Sequence, residues 1–205
     1  MPSRNVVKIY VPDSYYHIYN RGVEGRTVFQ DDEDYRVYLN LFKRYLDTKP
    51  HADTAGREYE WLKGSIELLA YCLMPTHYHL LVYVGEDETA MTRLLRGINS
   101  SYTVYFNKKY QRVGPLFQSR YKACRIENEA YLEHITRYIH LNPKHWKTYK
   151  FSSLPYFLEL KQAQWLNPQR VMETFKDKEE YSAFLEDYES QKQIFDDLKW
   201  ELADS

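Results

Sequence analysis

The chain has 205 residues, of which 43% are hydrophobic and 28% are charged, and its formal net charge is −1. This composition is ordinary for a soluble globular protein with one medium domain and a real core. No apolar run is long enough to cross a bilayer and no signal peptide is visible, so we expect a cytoplasmic protein without a membrane partner. Cys72 and Cys124 lie far apart and form no CxxC pair, so we expect reduced thiols.

The charge is unevenly distributed along the chain. Residues 1–150 carry 22 Lys and Arg against 17 Asp and Glu, whereas residues 151–205 carry 6 against 12. Within 91–150 the count is 12 basic to 3 acidic residues, with Tyr and Phe interleaved. Such a block indicates a nucleic-acid partner, although a solvated helix face is the simpler alternative. We predict a catalytic domain over 1–150 and an acidic, mostly helical extension over 151–205, with helical periodicity in about 169–201.

The first third of the chain contains one strand and one helix. Residues 15–20 are rich in β-formers and predict a strand, which a glycine-containing turn follows. Asp31 or Asp32 can cap a helix that runs to about Leu46, because apolar residues recur there at helical spacing. Residues 47–64 are polar and predict an exposed loop.

The remaining elements complete a known pattern. Two apolar strands over 66–84 precede a helix over about 89–107. Residues 116–126 read as a loop entering a strand, and Asn128 can cap a third helix over about 129–142. The order strand, helix, strand, strand, helix, strand is the ferredoxin-like βαββαβ pattern of the α+β class. We therefore predict an antiparallel sheet with helices on one face, plus an added helix after the last strand.

The second strand of the apolar pair opens with His77-Tyr78-His79. Residues two apart in a strand point to the same face, so His77 and His79 project together while Tyr78 points the other way. Two imidazoles on one face can hold one divalent metal ion. Two unrelated surface or core histidines are an equally good interpretation of this pair alone.

The third helix carries a second set of polar groups. Tyr138 and Asn142 are four residues apart and share a helix face, so both could reach a metal held by the histidine pair. A phenol can act as a nucleophile, and a metal can polarise a phosphate. Two imidazoles and one amide oxygen suit Mg²⁺ or Mn²⁺. We expect this helix to pack beside the histidine strand, with Tyr138 close to the pair; Tyr131 has no amide four residues later.

Four stretches in a fixed order carry a resemblance to a known family. They read YHIYNRG at 16–22, AYCLMPTHYHLL at 70–81, GPLFQSRY at 114–121 and RYIHLNP at 137–143. With them the chain resembles the IS200-like single-tyrosine transposases with a His-hydrophobe-His motif, and most of all their REP-associated branch. Each motif is modest by itself, but the ordered set is specific and spans roughly residues 14–145.

The resemblance implies a definite chemistry. Such enzymes cut single-stranded DNA, often beside a hairpin formed by a palindromic repeat, through a tyrosine linked to the 5′ end, and a DNA 3′-hydroxyl later rejoins the strand. Carried over, Tyr138 is the nucleophile, and His77, His79 and Asn142 hold Mg²⁺ or Mn²⁺. Insertion-sequence relatives often have glutamine where Asn142 stands, so the shorter side chain is a departure. The resemblance to the REP-associated branch also implies that the chain is a monomer rather than a homodimer.

The basic block supplies candidates for contacts with DNA phosphates, and exposed aromatic residues such as Phe117 and Tyr121 could stack on unpaired bases. For each one a solvated charge or a core aromatic is the alternative. The candidate phosphate contacts are Arg93, Arg96, Lys108, Lys109, Arg112, Arg120, Lys122 and Arg125.

Other interpretations stay open. The chain could be a non-catalytic binder of hairpin DNA or structured RNA, or a purely structural α+β protein. A His-x-His-x-Asp-His metallohydrolase is disfavoured, because Leu80 and Leu81 stand where acids would be needed. We expect His134 and His140 on the helix surface or paired with neighbours, and we do not predict His17 as a ligand.

Overall fold

The structure is a computed structural model that describes residues 10–187. At its centre lies an antiparallel sheet of four strands, β1 (Ser14–Arg21), β2 (Ile66–Met74), β3 (His77–Val84) and β4 (Lys122–Ile126). The strands lie side by side in the order β2-β3-β1-β4. This is the strand order of a ferredoxin-like sheet, so the α+β prediction is confirmed.

Two helices cover one face of the sheet. They are α1 (Asp32–Leu46) and α2 (Ala90–Lys109), and they pack against each other and against the inward side chains of the strands. Asp31 caps α1. Its side chain accepts the backbone N–H of Asp34, and the Asp34 carboxylate accepts the backbone N–H of Asp31. Such a capping box satisfies donors that a helix start leaves unpaired. The predicted placement of these two helices on one face is confirmed.

The third long helix, α3 (Glu129–Leu141), lies on the opposite face of the sheet. Its cap is Asn128, as predicted, and the Asn128 side chain accepts from the backbone N–H of Tyr131 at 2.8 Å. Buried Leu132, Ile135 and Ile139 pack against β2 and β3. The sheet is therefore covered on both sides, and side chains that alternate along β3 enter two different layers.

The described part of the acidic extension is folded onto the rest of the chain. It contains the short helices α4 (Leu154–Phe157), α5 (Gln169–Met172) and α6 (Lys178–Glu186). Ser152 and Leu166 form single β-bridges with β2, so they cover the outer edge of that strand. Short 3₁₀ turns occupy Val23–Gly25 and Trp146–Thr148. The predicted helical periodicity beyond residue 187 lies outside the described residues, and the division at residue 150 stays a prediction.

No helix within residues 10–187 is long and apolar enough to cross a membrane.

His140 joins α3 to this extension. Its ring is fully buried, with Nδ1 at 2.6 Å from the hydroxyl of Tyr181 and Nε2 at 2.7 Å from Oγ of Ser153. Burial lowers the pKa of His140 to about 3, so the ring is neutral at physiological pH. The alternative of a surface position is wrong for His140, whereas pairing with neighbours is what the structure shows.

We expect His140→Ala to lower the free energy of unfolding by about 2–4 kcal/mol, because it opens a cavity and removes the hydrogen-bond partner of the buried Tyr181 hydroxyl, whereas Ser153 keeps its bonds with the backbone of Tyr71. Urea denaturation of the full chain measures this change. His145→Ala is the matched control, since His145 is exposed, and it should shift the free energy by less than about 0.5 kcal/mol. Equal effects of the two substitutions would contradict the anchoring role of His140.

Candidate active site

The histidine pair lies at the start of β3. His77 and His79 point toward α3, whereas Tyr78 is fully buried in the layer of α1 and α2. This is the alternation that a strand imposes on successive side chains. His79 is 5% exposed and His77 is half-buried, so an ion or substrate reaches the pair from the side of His77.

Backbone hydrogen bonds from the segment between β1 and α1 hold the turn before β3. The carbonyl of Pro75 accepts the backbone N–H of Val28 at 2.7 Å, and that of Thr76 accepts the N–H of Gly22 at 2.8 Å. A Cβ on Gly22 would lie 2.2 Å from a backbone oxygen, so only glycine fits there. The Oγ1 of Thr76 lies 2.9 Å from Nδ1 of His77, which leaves Nε2 to face α3. The loop before α1 thus fixes where His77 points.

The helix α3 brings Tyr138 and Asn142 to the histidines of the same chain. The Tyr138 ring lies edge-on to the His79 ring, with centroids 5.1 Å apart at 86°. Oδ1 of Asn142 lies 3.2 Å from Nε2 of His77. Tyr138 is 8% exposed, and Asn142 is half-buried just after the last residue of α3. The strand and the helix therefore lie side by side, with the four side chains in one cluster.

A third histidine, which was not predicted as a ligand, completes the cluster. His17 on β1 is fully buried, and its Nε2 lies 3.0 Å from Nδ1 of His79. The two rings are stacked at 14°, and the Tyr19 ring lies beside both, 5.3 Å from His17 and 6.1 Å from His79 between ring centres. The ferredoxin-like strand order places β1 beside β3, so the alternation of Tyr15, His17 and Tyr19 was the available signal.

Burial controls the protonation of the cluster. Desolvation lowers the pKa of His77, lowers that of His79 well below its usual value, and lowers that of His17 to about 3. All three imidazoles are therefore neutral at physiological pH, which is the form that binds metals. Burial raises the pKa of Tyr138 to about 12, against the opposing effect of a hydrogen bond with Asn142. The phenol is consequently protonated at rest.

The cluster fits a divalent metal by its donor set. Within residues 10–187 no three His, Cys, Asp or Glu side chains form a metal site, and the amide oxygen of Asn142 is the oxygen donor that lies beside His77. The 3.2 Å between Asn142 Oδ1 and His77 Nε2 is close to the separation of about 3.0 Å between neighbouring ligands of an ion with bonds of about 2.1 Å. Two neutral nitrogens and one amide oxygen leave coordination positions for phosphate and water.

Comparison with known proteins agrees with this geometry. Residues 57–142 match the family described as Transposase IS200 like, and this stretch contains His77, His79, Tyr138 and Asn142. The resemblance to the IS200-like transposases is confirmed. Among curated proteins, none matches the chain.

Two solved structures are similar to the chain. The structure described as that of the REP associates tyrosine transposase bound to a REP hairpin has a TM-score of 0.55 at 14% identity, covering 76% of this chain and 86% of that one. This likeness shows that the two chains share a fold. A protein of Deinococcus radiodurans R1 assigned as a transposase has a TM-score of 0.40 at 16% identity, covering 63% and 91%. A likeness at that level supports no argument.

Three of the predicted phosphate contacts lie beside the Tyr138 cluster or at a cavity. Lys122 pairs with Tyr19 across the sheet, and its Nζ lies 5.8 Å from the centre of that ring, beside the Tyr138 cluster. Arg96 and Arg120 lie together at a cavity on the α2 side. Phe117 and Tyr121 were predicted as exposed aromatics, which is wrong: both are buried, because they pack into the core beneath the same cavity. The roles of these residues in DNA binding stay predictions.

Other predicted contacts have partners within the protein. Lys109 meets three carboxylates of the α1 start at 2.8–2.9 Å. Arg93 pairs with Glu60 and Asp87, and Arg112 donates to Asn107 at 2.6 Å. Lys108 and Arg125 are exposed. Carboxylates offset the charges of Lys109 and Arg93, whereas Arg112 is held by a neutral amide and keeps its charge.

Arg21 is an exposed cation near the histidine pair that was not identified from the sequence. Arg21 ends β1 opposite His77, and its charge contributes to the lowered pKa of that histidine. Arg21 lies in the turn-forming Arg21-Gly22 pair outside the basic block, so charge counting did not reveal it.

Proposed function

We propose that this chain is a metal-dependent tyrosine transposase that cuts and rejoins single-stranded DNA beside hairpins formed by palindromic repeats. The observation that carries the proposal is the contact between α3 and β3, which unites a tyrosine and an amide with two neutral histidines. The family match over 57–142 supports the general class of reaction. The hairpin in the related structure supports the class of substrate.

The reaction exchanges one phosphoester for another. The Tyr138 oxygen attacks the scissile phosphorus, the bond from phosphorus to the 3′ oxygen breaks, and the 5′ phosphate becomes linked to tyrosine. The phenol gives up its proton as its oxygen attacks, and the leaving 3′ oxygen takes up a proton and becomes a hydroxyl, so the protons balance. In the reverse sense, a DNA 3′-hydroxyl attacks the phosphotyrosine and restores the phenol. No external energy source is needed, because the number of phosphoester bonds is unchanged.

The divalent metal would be held by His77, His79 and Asn142. When bound, Mg²⁺ or Mn²⁺ supplies Lewis-acid polarisation of the phosphate and offsets the negative charge that develops on it. The same positive charge favours the phenolate of Tyr138, and the hydrogen bond with Asn142 acts in the same direction. Burial of Tyr138 also keeps water away from the covalent intermediate, so the strand is kept for rejoining instead of being hydrolysed.

The site also bears on oligomeric state. All four proposed catalytic and ligand residues come from one chain, so no side chain from a second copy is needed to complete it. This favours a functional monomer over a homodimer with shared sites.

The direct test is cleavage of a hairpin oligonucleotide with single-stranded flanks in the presence of Mn²⁺. We expect a 3′-end label to become attached to the protein, while a 5′-end label leaves as a free fragment whose 3′-hydroxyl a polymerase can extend. The same sequence annealed to its complement should remain uncut. Attachment of the 5′-end label instead, or cleavage without any adduct, would contradict the proposal.

A non-catalytic hairpin binder is the second candidate. The low exposure of Tyr138 favours it, because a phosphate has to reach a covered hydroxyl. The same experiment separates the two functions: hairpin binding without an adduct under any divalent metal supports the binder.

We expect His17 to position His79 for metal binding. Both rings are neutral, so one donates to the other; only if Nδ1–H of His79 donates to His17 does Nε2 of His79 keep its lone pair for a metal. His17→Ala should weaken Mn²⁺ binding by about 10–100-fold. Electron paramagnetic resonance of free Mn²⁺ measures this affinity without any catalytic turnover.

His17→Gln is the informative companion, since its side-chain oxygen can accept the same bond and should restore part of the affinity. His51→Ala should leave Mn²⁺ binding unchanged, because His51 pairs with Asp47 away from the cluster. Unchanged affinity in His17→Ala would show that His17 is a core residue only.

A further inference from the structure

A cavity of about 480 Å³ opens on the face of the sheet opposite Tyr138. It lies between α2 and the segment 116–121 that leads into β4. Leu95, Phe117 and Tyr121 line its inner part, and Arg96 and Arg120 lie at its rim. We propose that this cavity binds the base of one unpaired nucleotide of the DNA strand. The inference rests on the proposed function and adds a specificity site to it.

The inner lining suits a nucleobase. The floor is apolar and aromatic: Leu95 is buried beneath it, and the parts of Phe117 and Tyr121 that remain exposed, 8% and 7%, can contact a base. The exposed hydroxyl of Ser100 offers a hydrogen bond to the polar edge of a base. The volume lies in the range that encloses a small organic ligand.

The rim suits phosphates on either side of that base. The side chains of Arg96 and Arg120 form no ion pair with another residue of 10–187, unlike Arg93 one turn earlier on α2, which pairs with Glu60. No carboxylate lines the cavity within the described part of the chain. Two unneutralised guanidinium groups beside an apolar floor thus match the alternation of phosphate and base along one strand.

The walls are fixed before any ligand arrives. The amide of Asn99 bonds the hydroxyls of Tyr38 at 2.9 Å and Tyr78 at 3.1 Å. The amide of Asn20 donates to the carbonyl of Ser119 at 3.1 Å, which holds the outer segment against β1. A site formed in advance loses little entropy when it binds a flexible strand.

The location connects the cavity to the cutting site. Asn20 lines the cavity, and the next residue, Arg21, pairs with His77 in the sheet. The two sites therefore lie on opposite faces at the same end of the sheet. A single strand that leaves the Tyr138 cluster can pass around this end, along the exposed Arg21, and reach the cavity within a few nucleotides. The cavity would thus read a base at a fixed distance from the scissile phosphate.

The test uses binding without cleavage, with Tyr138→Phe protein in EDTA and fluorescently labelled hairpins. A hairpin with single-stranded flanks should bind more tightly than the same hairpin without flanks. Removing the base at each flank position in turn should identify one position where affinity falls by about 5–100-fold. Ser100→Trp fills the cavity. It should abolish the tighter binding of the flanked hairpin (the flank advantage) and also the loss of affinity at that abasic position.

Matched variants separate base recognition from general charge. Lys108→Ala lies on the same helix outside the cavity lining, and it should weaken both hairpins alike while the abasic effect remains. Arg96→Gln is a milder change than the tryptophan, and it should reduce the flank advantage specifically. Thermal melting shows whether each variant is folded.

Two results would overturn the inference. In one, no abasic position changes the affinity of the folded protein, which would mean that the cavity contacts only the DNA backbone and not a base. In the other, folded Ser100→Trp keeps the flank advantage. If the protein with Tyr138 intact forms no adduct but one abasic position still weakens binding, the base-binding role of the cavity stands and the proposed cleavage is rejected. If an adduct forms but no abasic position matters, the cleavage stands and the base-binding role is rejected.

Discussion

A Tyr138→Phe protein is expected to form no covalent adduct with single-stranded hairpin DNA under any divalent metal, which is the largest effect of any single change. The substitution removes only the hydroxyl and keeps the ring that packs edge-on against His79. The fold and the DNA affinity should therefore stay close to those of the unchanged protein. Denaturing gel electrophoresis of labelled DNA measures the adduct, and fluorescence anisotropy measures the affinity.

Tyr131→Phe is the control on the same helix. Tyr131 lies two turns before Tyr138 and is half-buried, but no amide follows it four residues later. Adduct formation should persist in this protein. An adduct of normal yield with Tyr138→Phe, or its loss with Tyr131→Phe alone, would assign the nucleophile to another residue.

The second large effect is expected from the joint removal of His77 and His79. The double alanine variant should lose Mn²⁺ binding and adduct formation together, by more than the 10–100-fold that loss of an orienting partner alone causes. The reason is that two of the three proposed ligands are removed. Titration calorimetry with Mn²⁺ gives the affinity, and the adduct assay gives the activity of the same preparation.

The Asn142→Asp variant tests whether Asn142 is a metal ligand or only a hydrogen-bonding amide. The carboxylate keeps an oxygen near Nε2 of His77 and adds a negative charge, which divalent oxygen-binding ions favour. Mn²⁺ should bind this variant more tightly than the unchanged protein, with the histidines intact. Weaker binding would mean that Asn142 acts through its hydrogen bonds and not as a ligand.

Local features of this chain were predictable from sequence because they depend on neighbours in the chain. The caps at Asp31 and Asn128 were found from side-chain chemistry at a helix start. The alternation of His77, Tyr78 and His79 followed from strand geometry, and Tyr78 does face the opposite layer. The order of elements then determined the sheet, because the βαββαβ pattern has one common strand order.

Features that depend on distant pairing were not predictable in this way. Lys109 is partnered by carboxylates of α1, which the helix packing brings beside it, so counting charge along the chain overstated its availability. His17 joins the cluster through its neighbour strand, a contact between residues 62 positions apart. His140 was assigned no fixed position, although the extension buries it completely.

The central claim is that the tyrosine of α3 attacks DNA while the histidines of β3 hold the metal. Mass spectrometry of the adduct, after digestion of both protein and DNA, tests it most directly. The account predicts that the nucleotide remains attached to the peptide containing Tyr138, and only when Mg²⁺ or Mn²⁺ was present during the reaction. A nucleotide attached to another residue, or an equal yield in EDTA, would contradict it.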